Sequence, residues 1–511
     1  MLPKTSELCG GVLRLPRYAE ASLGMPYATL KTTELCRGVL RLPSYAEASL
    51  SMPYATEDFR AMPRRPVCLT IPRGSAPELV IRDIDIIKRI LTTDFEHFYA
   101  RGLNPHRTVV EPLFKNLFFA DGDLWRLIRQ RFTPVFSTGK LKAMFPLITE
   151  RAEKLQVLAE TVALEDSYDM RELMARYTTD FIGACGFGIN MNTLNVENSQ
   201  FRQLGKRIFQ RSPRDAVIGL LKFIFPELCK NMHFLAPEIE ISIRHLVQTV
   251  LKERDHKPSG RNDFIDLLLE LQSQGKMVGK SIERKNSDGT PVVIKLELDE
   301  VIVMAQVFVF FGAGYETSSS ASSFLLHQLA FNPNCQEKVQ AEIDRVLKKY
   351  DNKLNYDAVK EMTYLEMAFN EGMRMYPSVA YLVRECRSPS YTIPEINLTI
   401  NDGVKVIIPT QAIHMDEQYF ENPEKFDPER FNPEYKQDRR FVYMPFGEGP
   451  RSCVGARLGL MQSMAGVAAL LQKFTVEPAA CSVRNPTPEP TATVAESFVG
   501  GLPLKLRRRV Q

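Results

Sequence analysis

The chain has 511 residues, 44% hydrophobic and 25% charged, with a net charge of +4. That is enough apolar material for a sizeable core and too little charge imbalance for a nucleic-acid partner. Nine cysteines and seven histidines are scattered without a CxxC pair, a zinc spacing or an HExxH run, so no zinc site is encoded and the thiols fit a reducing compartment. No run of 18 apolar residues exists, so no transmembrane helix is expected, and the N-terminus lacks a signal pattern.

Residues 4–29 return at 31–56, an offset of 27, with 22 of 26 positions identical. Two copies are too few for a solenoid. Each copy carries two prolines and little periodicity, so residues 1–60 read as extended or disordered. A recent duplication explains the repeat, and so does an erroneous first exon; the second is preferred.

Regular structure starts near Val67. Leu79 to Ile81 read as a strand and Asp83 to Leu91 as a helix with Asp83 as N-cap. Phe98 to Pro112 read as a flexible loop. Asp123 to Val135 form a helix that sets Trp125, the only tryptophan, and Arg129 on one face at i and i+4. Alone, that pair is more often a core tryptophan and a solvated arginine. Arg126, Arg131, Lys140 and Lys142 make the vicinity basic, as a docking face for an acidic partner or as a solvated surface.

Residues 140–270 read as helices broken at Pro213, Pro226, Pro237 and Pro258. The apolar cluster Phe223 to Phe225 lies among them, with core packing preferred over contact with a membrane. Gly275 to Lys295 read as a charged surface hairpin turning at Asp288-Gly289.

Asp299 opens a long apolar helix that ends near Asn332-Pro333. The run Val301 to Gly314 reads as a core helix despite Gln306. Gly314 costs roughly 1 kcal/mol relative to alanine in mid-helix. The pair Ala313-Gly314, followed by Glu316 and Thr317, leaves a notch where a diatomic ligand fits. Thr317 can hydrogen-bond such a ligand and Glu316 can feed it protons through water. Val309 lies one turn earlier on the same face. The plain alternative is a helix packed through small residues.

Asn334 to Tyr350 and Tyr364 to Tyr376 are amphipathic helices. The second carries Glu371 and Arg374 at i and i+3, able to pair. Pro377 ends it, and Ser378 to Leu382 follow extended. Tyr391 to Ile407 alternate as short antiparallel strands. The tail has a proline-rich loop and then a strand with Leu502, Leu504 and Leu506 alternating.

The most informative stretch is Phe446 to Gly455, FGEGPRSCVG, followed by an apolar helical run, Ala456 to Leu471. Cys453 sits in a glycine-rich loop two residues after Arg451. A haem iron bound through a thiolate needs this arrangement: a deprotonated sulfur, small residues under a flat macrocycle, and amides around the sulfur. Arg451 can pair with a haem propionate, and Phe446 can shield the sulfur. A lone cysteine of this kind is otherwise a buried small hydrophobe.

The complete pattern F-G-x-G-x-R-x-C-x-G resembles that of the cytochrome P450 family. The resemblance spans about residues 67–511, which it implies form the catalytic domain. It is strongest with the insect microsomal family 6, through RILTTDF, WRLIRQRFTPVFSTGKLKAMFP and PFGEGPRSCVGARLG. It implies a mainly α fold with small β-sheets and haem between two long helices. It further implies that Trp125, Arg129 and Arg384 hold propionates, that residues 313–317 form the oxygen-activation motif, and that Arg430 completes a network with Glu371 and Arg374. Cys453, with Phe446, Ala313, Gly455 and Arg451, would hold haem b. Phe118, Phe119, Val309, Val379, Leu382 and Phe498 would line the substrate pocket, with residues 140–270 supplying its lid.

The implied reaction inserts one atom of O2 into an apolar small molecule. Electrons come from NADPH through NADPH–cytochrome P450 reductase, with cytochrome b5 as a further donor. The implied place is the cytosolic face of the endoplasmic reticulum membrane, although the family's N-terminal anchor, basic stop and proline hinge are missing from this sequence. Two other readings stand beside it: a non-catalytic product of a damaged or mis-predicted gene, and a haem-thiolate isomerase of hydroperoxides.

Overall fold

The computed structural model describes residues 68–73, 76–104, 106–189, 191–196, 199–209, 212–261, 263–435, 438–489 and 495–509. The tandem repeat lies outside the described residues.

The elements run in this order. Strands β1 (Cys68–Arg73) and β2 (Ala76–Ile81) lead into α1 (Ile84–Lys88), α2 (Gly122–Phe132), α3 (Thr138–Val162), β3 (Tyr168–Asp169) and α4 (Met170–Ile182). Helices α5 (Gln200–Phe209), α6 (Pro213–Ile224), α7 (Pro237–Glu253) and α8 (Phe264–Ser273) precede a hairpin of β4 (Met277–Lys285) and β5 (Pro291–Leu296). Then come α9 (Glu300–Phe331), α10 (Pro333–Lys349), α11 (Tyr356–Glu361) and α12 (Thr363–Met375). Strands β6 (Leu382–Glu385), β7 (Ser390–Ile393), β8 (Leu398–Asn401) and β9 (Lys405–Ile408) are followed by α13 (Thr410–His414), α14 (Ala456–Lys473), β10 (Phe474–Pro478) and β11 (Pro503–Arg508).

Helices dominate, and the strands form small sheets. One sheet has the order β1-β2-β9-β6, another β10-β11-β3, and two are hairpins, β4-β5 and β7-β8. Local chemistry sets the boundaries. Asp83 caps α1 by accepting from Asp85 N and Ile86 N, and Asp299 caps α9 by accepting from Ile302 N. Prolines 213 and 237 sit in the first turns of α6 and α7, where a missing N–H costs nothing. Pro146 lies inside α3 without ending it.

Helix α9 is the spine of the molecule. Its first half joins a cluster with α2, α7 and α8 through Val303, Val307 and Phe311. Its last turns join a second cluster with α3, α4, α12 and α14 through Leu325, Leu326 and Leu329. Although long and apolar enough to cross a membrane by composition, it is buried in protein along most of its length. Gln306 bonds outward to Leu117 N (3.0 Å) and Lys115 O (3.0 Å), tying the 113–120 segment onto the spine.

Two sequence expectations are revised. The segment 98–112 is read as a loose loop, yet Glu385 N donates to Ala100 O (2.8 Å) and Arg101 to Phe118 O and Arg451 O. Core packing is preferred for the apolar end of α6, yet Ile224 and Phe225 are half exposed, with Val217 and Leu228 exposed beside them.

His414 is fully buried, its Nε2 accepting from Met444 N at 2.8 Å. Burial, helped by the Arg374 guanidinium, lowers its pKa from 6.5 to about 3. The unfolded chain therefore binds a proton that the folded chain refuses between these values. Stability should be full above about pH 6.5 and fall as pH drops below it, with a slope approaching about 1.4 kcal/mol per pH unit. Thermal midpoints between pH 7 and 5 should show this loss, and His414→Gln should flatten the profile.

Candidate haem-thiolate site

The loop before α14 is held by its own backbone. Cys453 N donates to Phe446 O (2.8 Å) and Ser452 N to Gly449 O (3.0 Å). Gly449 has φ +74°, and a Cβ there would fall 2.0 Å from Leu91 O, so only glycine fits. At Gly455 the nearest atom to a Cβ is Phe136 Cε1 at 3.7 Å, so the surrounding protein does not itself demand glycine.

The Cys453 side chain is solvent-accessible although protein crowds round it. Burial pushes its thiol pKa up, while the Gly455 amide, Arg129 and Arg101 pull the other way. The thiolate thus has support waiting but not enough to form unaided. An iron that took the sulfur would drive off the proton.

Around this loop stands a group of arginines with little negative charge. Arg384, on β6, is buried; it donates to Val383 O (2.8 Å), and its Nε has no partner. Burial, with Arg101 nearby, lowers its pKa to about 9, and burial lowers that of Arg101 to about 10. Both remain charged at neutral pH. Arg129 donates to Ser452 O at 2.7 Å. Arg451 is buried against the Trp125 ring, its Cζ 4.2 Å from the centroid. The nearest compensating anion is Asp121, 2.8 Å from Arg451 Nη2. Buried and half-buried cations in such excess call for further anions.

This group refines the sequence reading. Arg451 spends three of its five N–H groups on Tyr99 O, Ala120 O and Asp121, so it chiefly pins the cysteine loop to the start of α2. Arg101, which no motif flagged, joins Arg129 and Arg384 instead. Its signal was only an arginine in an irregular stretch, with nothing in the spacing to mark it.

On α9, Val309, Ala313 and Thr317 form an accessible stripe on a helix most of whose residues are buried. Ala313 is the most open. The Thr317 hydroxyl donates to Ala313 O (2.8 Å), leaving its oxygen as an acceptor on that stripe. Gly314 does not contribute to a notch. A Cβ there would meet Ile182 Cδ1 at 2.5 Å, so it serves close packing of α4 on α9. Glu316 likewise points backward, ion-paired with Arg171 of α4. As placed, its carboxylate does not face the stripe. Helix α14 passes close by, since a Cβ on Gly459 would lie 3.6 Å from Ser318 Oγ.

The expected pocket residues divide. Val379 stays near, because Ser378 Oγ donates to Thr317 O at 3.0 Å. Leu382 is a correction: strand alternation turns it toward the cysteine loop, 3.7 Å from where a Gly447 Cβ would be. Phe498 is another. It is buried among Phe324 and Tyr376, with ring centroids 5.2 and 5.5 Å away, and Val499 beside it faces outward. Phe119 stacks on Phe114 at 4.5 Å, while Phe118 carries the Arg101 guanidinium at 4.5 Å.

The expected ionic triad is assembled. Arg374 donates to both carboxylate oxygens of Glu371 (2.7 and 2.9 Å), to His414 O and to Pro423 O. Arg430 approaches Glu371 at 3.3 Å. These residues lock α12 to the 414–430 segment beneath the cysteine loop.

An accessible thiol with amide support, a cluster of buried and half-buried arginines short of anions, and the Trp125 indole beside them fit one group: a flat, iron-bearing, dianionic macrocycle. Among the described residues, no group of three or more histidines, cysteines and carboxylates could hold a bare metal ion instead.

Comparison with known proteins agrees. Residues 60–497 match the profile of the family "Cytochrome P450". Cytochrome P450 6B7 of Helicoverpa armigera is 37% identical over 422 residues, covering 82% of this chain and 81% of that protein. Probable cytochrome P450 6a13 of Drosophila melanogaster is 39% identical over 399 residues, 78% and 76% of the two chains. Cytochrome P450 6a2 of the same fly is 37% identical over 441 residues, 84% of each. With thiol, arginine cluster and open helix stripe in place, the chain belongs to the cytochrome P450 family and is a haem-thiolate monooxygenase that draws electrons from a redox partner.

Proposed function

We propose that this monooxygenase oxidises apolar small molecules, such as plant toxins, insecticides or endogenous lipids. It does so at the cytosolic face of the endoplasmic reticulum membrane, with NADPH–cytochrome P450 reductase as electron donor and cytochrome b5 as a second one. The observation that carries the reading is the accessible stripe Val309-Ala313-Thr317 together with an accessible thiol, Cys453, set among buried and half-buried arginines. The catalytic domain on this reading is residues 67–511.

Cys453 would hold the iron, and Arg101, Arg129 and Arg384 would pair with the propionates, with Trp125 offering its indole N–H. Haem b, when bound, supplies the activation of O2 and accepts electrons one at a time. The chain's own part is binding, orientation and protons. Thr317, whose hydroxyl donates to Ala313 O, keeps its oxygen free to accept a hydrogen bond from a water on that stripe. Glu316 can pass protons only when it leaves Arg171, so that ion pair would gate proton entry. Ala313 keeps the stripe low, and Val309 and Val379 make it apolar.

Arg126 and Arg131 offer positive charge for an acidic donor. Lys142 contributes less, being paired with Asp357 at 3.0 Å. The exposed Val217, Ile224, Phe225 and Leu228 support contact with a membrane surface.

The test is a reduced, carbon monoxide difference spectrum followed by turnover with reductase and NADPH. A red-shifted, thiolate-type Soret band and NADPH-dependent product from apolar substrates are expected. Haem without the thiolate band would overturn the site assignment. Turnover of hydroperoxides without reductase would favour the isomerase reading.

A further inference from the structure

Helix α2 begins at Asp121, which has the extended backbone of an N-cap but makes no capping bond. Its carboxylate is committed elsewhere, accepting from Arg101 N (2.8 Å), Gly102 N (3.1 Å) and Arg451 Nη2 (2.8 Å). The first N–H groups of α2 therefore need an acceptor from outside the helix.

The β4–β5 hairpin, which the sequence marks only as a surface excursion, supplies one. Its pairing register breaks between Lys280 and Lys285. In that break Glu283 Oε2 accepts from Asp123 N (3.3 Å) and Glu283 Oε1 from the Tyr99 hydroxyl (3.2 Å). The carboxylate lies tight on Gly122, which has φ +58°: a Cβ there would fall 2.2 Å from Glu283 Oε1. Negative charge at this end of a helix is favourable.

The bonding is reciprocal. Asp123 accepts from the Ser281 hydroxyl (2.8 Å) and from Ile282 N (2.8 Å). Ser281 is buried, and its oxygen accepts from Glu283 N (3.1 Å) and Arg284 N (2.8 Å). The hairpin backbone lies on the helix, since a Cβ on Gly279 would meet Leu127 Cδ2 at 2.6 Å.

We propose that the β4–β5 hairpin caps α2 in trans, with Glu283 as a positioning residue that sets Trp125 and Arg129 against the cofactor. This rests on the reading that those two side chains hold haem. Because the native N-cap serves the arginine cluster, the helix start and the haem site are coupled through Asp121, and the hairpin is what frees Asp121 for that task.

The experiment compares full-length, haem-loaded protein with Glu283→Ala, Ser281→Ala and Glu283→Gln, and with Asp288→Ala as a control. Asp288 lies at the hairpin tip and bonds only Thr290. Haem transfer to apomyoglobin and the share of thiolate-type carbon monoxide band are measured, with the thermal midpoint from far-ultraviolet circular dichroism. E283A and S281A should lose haem about fivefold faster, the ratio expected for one lost helix cap. Their midpoints should stay near that of D288A. E283Q, which keeps an acceptor for Asp123 N, should recover most of the difference, and D288A should match wild type.

Transfer rates in E283A and S281A equal to wild type, or matched by D288A, would overturn the proposal. Should E283A fail to fold, S281A and E283Q decide by the same criteria. A wild type without thiolate-bound haem would overturn the cofactor reading and this inference with it. A wild type that holds haem while the variants match it overturns this inference alone.

Discussion

Cys453→Ser should yield a folded protein that has lost the thiolate-type carbon monoxide band and its monooxygenase turnover. Folding should survive because the loop is held by backbone bonds, Cys453 N to Phe446 O among them, and the side chain is accessible and outside the hydrophobic clusters. Serine keeps those bonds but offers no thiolate. The drop in activity should exceed the roughly 10- to 100-fold that partners behind a metal ligand typically cost, since the ligand itself is removed. The check is the spectrum together with NADPH-dependent product formation, at matched circular dichroism. A variant that kept the red-shifted band would show that another group ligates the iron.

Glu371→Ala should have the opposite signature, loss of the fold before loss of chemistry. Glu371 and Arg374 are both fully buried, 2.7 Å apart. Removing the carboxylate strands the Arg374 charge and leaves Asp427 N without its acceptor. Breaking such a pair costs about 3–5 kcal/mol, a large part of the roughly 5–15 kcal/mol that holds a domain together. Little soluble holoprotein is expected, and what forms should melt well below wild type. Arg430→Leu should cost less, because that guanidinium is partly exposed and 3.3 Å from Glu371. An E371A protein with normal yield and midpoint would refute the structural role of the pair.

The fold was legible wherever one local rule decides. Hydrophobic period, proline position and cap residues placed α9, α10, α12, α14 and the Asp288-Gly289 hairpin near their observed bounds. The aperiodic 98–112 segment was not legible as ordered, because its order comes from Arg101 reaching Phe118 O and Arg451 O far along the chain.

The site divides in the same way. Cys453, the AGYET run and the Glu371–Arg374 spacing stood out as residue types in a set order, since thiolate ligation and ion pairing demand those types. Which way each side chain points was decided only by packing. Ile182 claims the space behind Gly314, and Arg171 draws Glu316 away from the stripe. Tyr99 O and Ala120 O occupy much of Arg451, and Phe498 sinks into an aromatic cluster. By itself the sequence determined the chemistry on offer, a thiolate with its acid, hydroxyl and arginines. The tertiary structure alone decided which of these share a space, because direction and distance between segments hundreds of residues apart come from long-range packing that no local pattern encodes.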